Sequence, residues 1–193
     1  MHIGVDIDNV INYLDQFLAD LVQEHYGIKV DTARWHKYYI EDSFPEIKKE
    51  WVNHLFEEIS MKQNQALKRL KVNEQAVKRL HELSECVEIS LITSRPEWIR
   101  PHTSAWLEAN SLTRFIQRTY YDETKIGTIK RLGVDMHVDD HPELAISIAN
   151  AGIPVLLYKK LWNKDIRHKA ISHVSDWNEI YLKVLGVAHA MHG

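Results

Sequence analysis

A chain of 193 residues, 45% hydrophobic and 26% charged, has room for one core or for a core with a small insertion; its composition excludes a disordered or collagen-like chain. Its 24 basic side chains against 27 acidic ones leave a net charge of −3, so no broad positive field exists to hold nucleic acid stably. A single cysteine, Cys86, excludes an internal disulfide, and with no early basic leader and no bilayer-length apolar run the sequence predicts a cytoplasmic protein with no membrane partner.

Ile3 to Asp8 opens as a continuous apolar run ending in acid, the pattern of a short strand buried on both faces. Apolar residues at helical spacing from Tyr13 to Val22 predict a helix, with Gly27 as its stop. From Thr32 to about Leu70 no strand signal appears. Two or three short helices are expected there, one started by Pro45, in a stretch rich in aromatic rings. From Val72 onward helix and strand alternate. Helices are predicted at Asn73–Leu83, Pro101–Glu108, Lys125–Leu132, Leu144–Ala151 and Asp176–Leu185. Strands are predicted at Val87–Thr93, Phe115–Tyr121, Met136–Val138 and Pro154–Tyr158, and a loose tail carries His189 and His192. Strands separated by helices imply a parallel sheet covered on both faces. The fold class is therefore α/β, with core segments 1–14 and 72–193 interrupted by a helical piece at 15–71.

In an open parallel sheet, ligands sit beyond the carboxyl ends of the strands. Three predicted strand ends carry Asp6-Ile7-Asp8, Thr93-Ser94-Arg95 and Asp139-Asp140, so these groups should converge in one crevice. Four carboxylates there repel one another unless one takes a proton or a cation joins them. Mg²⁺ is the hard-oxygen candidate, with Asp6, Asp139 and the backbone carbonyl of Asp8 as ligands. A carboxylate can attack a phosphoryl group and form an aspartyl-phosphate, and a second acid can protonate the leaving oxygen. Thr93 can donate to a phosphoryl oxygen. Lys125, opening a helix, can face the transferring group, although Lys130 lies only about a turn further on.

Asp-x-Asp after a first strand, Thr-Ser after a second, Lys opening a helix and Asp-Asp after a further strand resemble the haloacid-dehalogenase-like (HAD) phosphatases, over roughly residues 3 to 180. Ile92-Thr93-Ser94-Arg95-Pro96 and Val138-Asp139-Asp140-His141-Pro142 look most like the 5′-nucleotidase and 5′(3′)-deoxyribonucleotidase branch, and Leu161-Trp162-Asn163 resembles its Pro-Trp-Asn element. The resemblance implies a Rossmannoid three-layer core with a helical type-one cap at 15–71. It makes Asp6 the nucleophile, Asp8 the acid/base, Thr93 a phosphoryl contact and Lys125 the group that steadies the intermediate. Asp139 would hold Mg²⁺, with Asp140 in support. That family usually places Gly after the second Asp; this chain has Asn9, a residue that tolerates positive φ.

The implied activity is a Mg²⁺-dependent phosphomonoesterase for a small phosphorylated substrate, a nucleoside monophosphate in the first instance. A sugar phosphate and a non-catalytic phosphate-binding regulator are the alternatives. Ser94, Arg95 and Asp140 are candidate substrate contacts. Among the aromatic residues Trp35, Tyr38, Tyr39 and Phe44 are candidates to stack on a base, while Trp51 and Phe56 are expected to serve the helical piece's own core. The 12 histidines show no paired metal spacing, and His141 is the one expected near the site.

Overall fold

The computed structural model describes residues 1–61 and 66–192; the expected helical piece at 15–71 therefore includes four positions, 62–65, outside the described residues. Six parallel strands form one sheet: β1 (His2–Val5), β2 (Glu88–Thr93), β3 (Arg118–Tyr121), β4 (Met136–Asp139), β5 (Val155–Tyr158) and β6 (Ile171–Val174). Their order is β3-β2-β1-β4-β5-β6. The chain winds outward from β1 to β3, crosses to β4 and winds the other way. The switch point of this doubly wound sheet falls between β1 and β4, where such sheets place their ligands.

Nine helices accompany the strands among the described residues: α1 (Leu14–Tyr26), α2 (Ile40–Ser43), α3 (Lys49–Met61), α4 (Ala66–Arg69), α5 (Glu74–Leu83), α6 (Arg100–Ala109), α7 (Ile126–Leu132), α8 (Pro142–Asn150) and α9 (Trp177–His192). Strand periodicity sorts the two faces. Ile3, Val5, Ile89, Leu91, Met136, Val138 and Leu156 face α5, α6 and α9. Ile92, Val155 and Leu157 face α7 and α8. Gly4 sits on that second face, and a Cβ there would lie 2.6 Å from His137 Nδ1, so the close approach of two strands requires glycine.

The helical signals resolve as expected at several ends. Gly27 adopts φ 70° and closes α1, and Gly133 adopts φ 63° and closes α7. Asn73 caps α5 by accepting from the backbone N–H groups of Gln75 and Ala76. Three expectations are corrected. Pro45 lies in the turn between α2 and α3 and starts no helix. The strand β6 was not expected, because its edge position leaves only Val174 fully buried and no continuous apolar run. Among the described residues, His189 and His192 lie not in a loose tail but in α9, which runs to His192 and buries Ala188. Trp177, wholly buried, donates its indole N–H to Val10 O at 2.9 Å and so ties α9 to the loop that follows β1.

Outside the sheet, the loop after β1 meets the segment before α5 in an isolated antiparallel bridge between Asn12 and Val72. Asn73 N donates to Ile11 O at 2.7 Å, and Tyr13 N to Lys71 O at 3.2 Å. Between Asn12 and Val72 the described residues are helical or irregular, and Phe17, Tyr38, Phe56 and Leu67 from this stretch line a cavity with Asp6 and Asp8 just beyond β1. No helix of the described residues is long and apolar enough to cross a membrane.

Candidate active site

Asp6 follows β1 directly, its N–H still paired to Val138 O at 2.9 Å. The loop then turns through Asn9 at φ 58°. Asn satisfies that turn with its own side chain: Asn9 Oδ1 accepts from Asp15 N at 2.8 Å, and Asn9 N donates to Asn12 Oδ1 at 3.0 Å. Asn12, buried, also accepts from Leu14 N and donates to Asp8 Oδ1 at 3.0 Å. One buried asparagine therefore holds the loop shut and places Asp8. The sequence reading passed over it.

Lys125 is the best-buried cation of the site, with 1% of its side chain exposed. Its Nζ lies 2.9 Å from Asp6 Oδ1 and 2.8 Å from Asp139 Oδ2. The backbone at Lys125 has φ 61°, and Asp122 stabilises the turn by accepting from Lys125 N and Thr128 N. Asp122 in turn donates its N–H to Thr93 O at 3.0 Å, so the turn bearing the lysine is anchored to the end of β2. Lys130 is not needed for the site, because Lys125 occupies it.

Asp139 is completely enclosed. Its Oδ2 also meets His137 Nε2 at 3.0 Å, and its Oδ1 accepts from His141 N at 2.9 Å. Asp140 shares this burial, but its Oδ2 has no hydrogen-bond partner among the described residues. Oxygens of Asp6, Asp139 and Asp140 approach within 4.8 Å of one another. Asp140 does not cap α8. That cap is His141, whose Nδ1 accepts from the N–H groups of Glu143 and Leu144. The Asp140 carbonyl is held instead by Asn163 Nδ2 at 2.8 Å and Trp162 Nε1 at 3.3 Å, which gives the Leu161-Trp162-Asn163 element its structural purpose.

The electrostatics follow from this crowding. Burial, and then the carboxylates of Asp139 and Asp8, push Asp6 up to about 7 against the pull of Lys125. Burial, and then the carboxylates of Asp139 and Asp6, raise Asp140 well above the ordinary range. Burial acts on Asp139 in the same sense, but Lys125 and His137 outweigh it and hold the group below its usual value. Burial also opposes the charge on Lys125, yet Asp139 and Asp6 keep its pKa raised. Three carboxylates around one ammonium leave net negative charge. That charge, the all-oxygen donor set and the unpartnered Asp140 oxygen fit a hard divalent cation.

On the other side of Asp6, Asp8 is gripped by Arg95. Arg95 Nε donates to Asp8 Oδ2 at 2.8 Å and Nη2 to Asp8 Oδ1 at 2.6 Å, while Nη1 donates to Thr103 Oγ1 at 3.0 Å. Burial pushes Asp8 up, but the guanidinium overcomes it and holds the carboxyl below the usual range. Thr93 Oγ1 accepts from Arg95 N at 3.2 Å. The Ser94 hydroxyl donates to Glu123 O.

Asp6, Asp8, Thr93, Ser94, Arg95 and Lys125 line one cavity of about 310 Å³. Tyr38 and His141 border it, with their rings 3.9 Å apart. Its remaining wall is largely apolar, from Leu14, Phe17, Phe56, Ile59, Leu67, Trp98, Ile99 and Leu144. Trp35 and Tyr39 are not among the lining residues. Trp35 is buried against Phe44 and Trp162, and Tyr39 lies edge-on to Tyr38 with 56% exposure. Trp51 does stack on Tyr26, but Phe56 is 41% exposed and borders the cavity. Phe56 and Trp98 were therefore missed as site residues. Nothing local marks them, because they reach the site from separate segments.

No family model matches the chain. A protein of Oceanobacillus iheyensis provisionally named a nucleotidase is 26% identical over 189 residues, covering 93% of this chain and 96% of its own. A nucleotidase of Clostridium acetobutylicum is 23% identical over 184 residues, covering 94% and 92%. Among solved structures, a HAD-superfamily hydrolase of Geobacter sulfurreducens superposes with a TM-score of 0.64 at 16% identity, covering 96% of each chain. The chain therefore shares the fold of haloacid-dehalogenase-like hydrolases. Both sequence relatives carry nucleotidase names.

Proposed function

We propose that the protein is a phosphomonoesterase that works through an aspartyl-phosphate on Asp6, with a nucleoside monophosphate as substrate. The observation that carries this reading is the meeting of Asp6, Asp8, Thr93 and Lys125 in one cavity, beside the buried Asp139–Asp140 pair. In the first half-reaction an Asp6 oxygen bonds to phosphorus as the bond to the alcohol oxygen breaks, and Asp8 hands its proton to that oxygen. In the second, water attacks phosphorus, Asp8 takes the water's proton, and phosphate leaves with Asp6 restored. Thr93 donates its hydroxyl hydrogen to a phosphoryl oxygen, and Lys125 balances the charge that collects around Asp6.

Arg95 keeps Asp8 ionised in the free protein. A phosphate dianion arriving beside Asp8 adds negative charge there and draws a proton onto it, which prepares the first half-reaction. Asp6, Asp139 and Asp140, with the Asp8 carbonyl, would hold Mg²⁺. When bound, the ion neutralises these carboxylates and the charge of the phosphoryl group.

The cavity supports the choice of substrate. Among the described residues its lysine and arginine are Lys125 and Arg95, and both are already paired with carboxylates, so neither is left over for a second phosphate. The apolar and aromatic wall suits an alcohol bearing a flat ring better than a bare sugar. The helical segments at 15–71 act as the cap, since they supply Phe17, Tyr38, Phe56 and Leu67 to that wall. The test is phosphate release from nucleoside monophosphates and sugar phosphates, with Mg²⁺ and with chelator. Mg²⁺-dependent turnover of nucleotides is expected. Turnover of sugar phosphates alone would keep the chemistry and overturn the substrate, and no turnover at all would leave a phosphate-binding protein.

A further inference from the structure

We propose that Arg95 is a positioning residue for Asp8, setting the carboxyl that serves the leaving oxygen, and that it is not a contact for the substrate's phosphate. This rests on the acid/base role given to Asp8 above. The guanidinium spends Nε and Nη2 on the two oxygens of one carboxylate, a two-pronged geometry that fixes the carboxyl plane as well as its place. The third nitrogen, Nη1, is anchored on Thr103 Oγ1 of α6, and the Thr103 side chain is fully buried. Asn12 Nδ2 adds a third donor to Asp8 from the opposite loop. Asp8 is thus held from β1's own loop and from β2's, with α6 as the backstop. The same residue's N–H donates to Thr93 Oγ1, leaving that hydroxyl's hydrogen for another acceptor. Arg95 therefore sets the two groups expected to flank the phosphoryl transfer.

A plain structural staple between two loops would produce the same contacts. What separates the two readings is the dependence on the leaving group. General-acid help matters most when the departing alcohol is a poor leaving group and least when it departs readily as a phenolate. A lysine at this position keeps the charge but supplies no fork, so it should loosen Asp8 without discharging the pair.

The experiment compares kcat and KM on a nucleoside 5′-monophosphate and on 4-nitrophenyl phosphate, for the native protein, Asp8→Asn, Arg95→Lys and Thr103→Val. Positioning predicts that Arg95→Lys loses roughly 10- to 100-fold in kcat on the alkyl ester, a part of the total that general acid–base catalysis supplies. Its loss on the aryl ester should be at least about tenfold smaller by the same reasoning, with KM changed little on either. Thr103→Val, which removes the anchor on Nη1 without touching the two contacts to Asp8, should show the same selectivity more weakly, and it carries the test if Arg95→Lys does not fold. Equal losses on both esters, or a rise in KM with kcat kept, would overturn the proposal in favour of a staple or a phosphate contact. If Asp8→Asn itself shows no leaving-group selectivity, the acid/base reading fails first. If Asp8→Asn shows it and neither Arg95→Lys nor Thr103→Val does, only the positioning proposal fails. Absence of turnover by the native protein removes both.

Discussion

Replacing Lys125 with methionine removes a buried ammonium that two carboxylates share. The native contacts are 2.9 Å to Asp6 and 2.8 Å to Asp139, with 1% of the lysine side chain exposed. Removing one partner of a buried ion pair costs about 3–5 kcal/mol, because the remaining charge stays uncompensated. In a chain of this size each kcal/mol moves the melting temperature by about 2–4 °C, so the expected fall is about 6–20 °C at pH 8 without metal. The cost should shrink at pH 5. Asp6, which already holds a proton up to about 7 in the native protein, is then neutral and needs no counter-charge. Methionine fills a similar volume, so little of the loss should come from a cavity. Thermal unfolding of both proteins at pH 8 and pH 5 in chelator gives the comparison. A fall of less than about 2 °C at pH 8, or an equal fall at both pH values, would refute the view that Lys125 is the charge that balances this cluster.

Other consequences are as direct. Asp6 and Asp140 have raised pKa values in the folded chain, so their contribution to stability is full below the unfolded carboxylate range and is lost as pH rises through the folded values, near 7 for Asp6. Mg²⁺ should therefore raise the melting temperature more at pH 8 than at pH 5, and Asp140→Asn should weaken that increment; calorimetry with and without MgCl₂ measures both. Asn9→Gly should leave the fold stable to within about 1 kcal/mol, whereas Asn9→Val, branched at a positive φ, should cost about 1–3 kcal/mol in urea unfolding. Gly4→Ala would drive a methyl to within 2.6 Å of His137 Nδ1 and 3.0 Å of Ile92 Cδ1, and should cost about 1–3 kcal/mol in the same assay.

The parts of the site legible in the sequence were those at strand ends. A mostly apolar strand that runs into polar residues marks its own exit, and the carboxyl ends of three such predicted strands located Asp6, Thr93 and Asp139. The glycine stops at Gly27 and Gly133 were legible because a positive φ at a helix end has few other solutions. Less visible was whatever depends on two distant segments meeting. His137 lies mid-strand and looks like any surface histidine until the sheet places it against Asp139. Arg95 beside Thr93-Ser94 looks free to meet an anion, but Asp8 already occupies its fork. Trp35 looked available to a ring and is enclosed by Phe44 and Trp162, whereas Phe56 looked like core and borders the cavity. Edge strand β6 lacked the apolar run because one flank of it meets no neighbouring strand.

The central claim is that Asp6 carries the phosphoryl group during turnover. Acid quench of the protein in steady state with its nucleotide, followed by peptide mass spectrometry, tests it most directly. The expected result is the mass increment of one phosphoryl group on the peptide containing Asp6, absent in Asp6→Asn and accumulating in Asp8→Asn, where the second half-reaction lacks its base. Sustained phosphate release with no phosphorylated peptide in either the native protein or Asp8→Asn would contradict the covalent mechanism and point to direct attack by water.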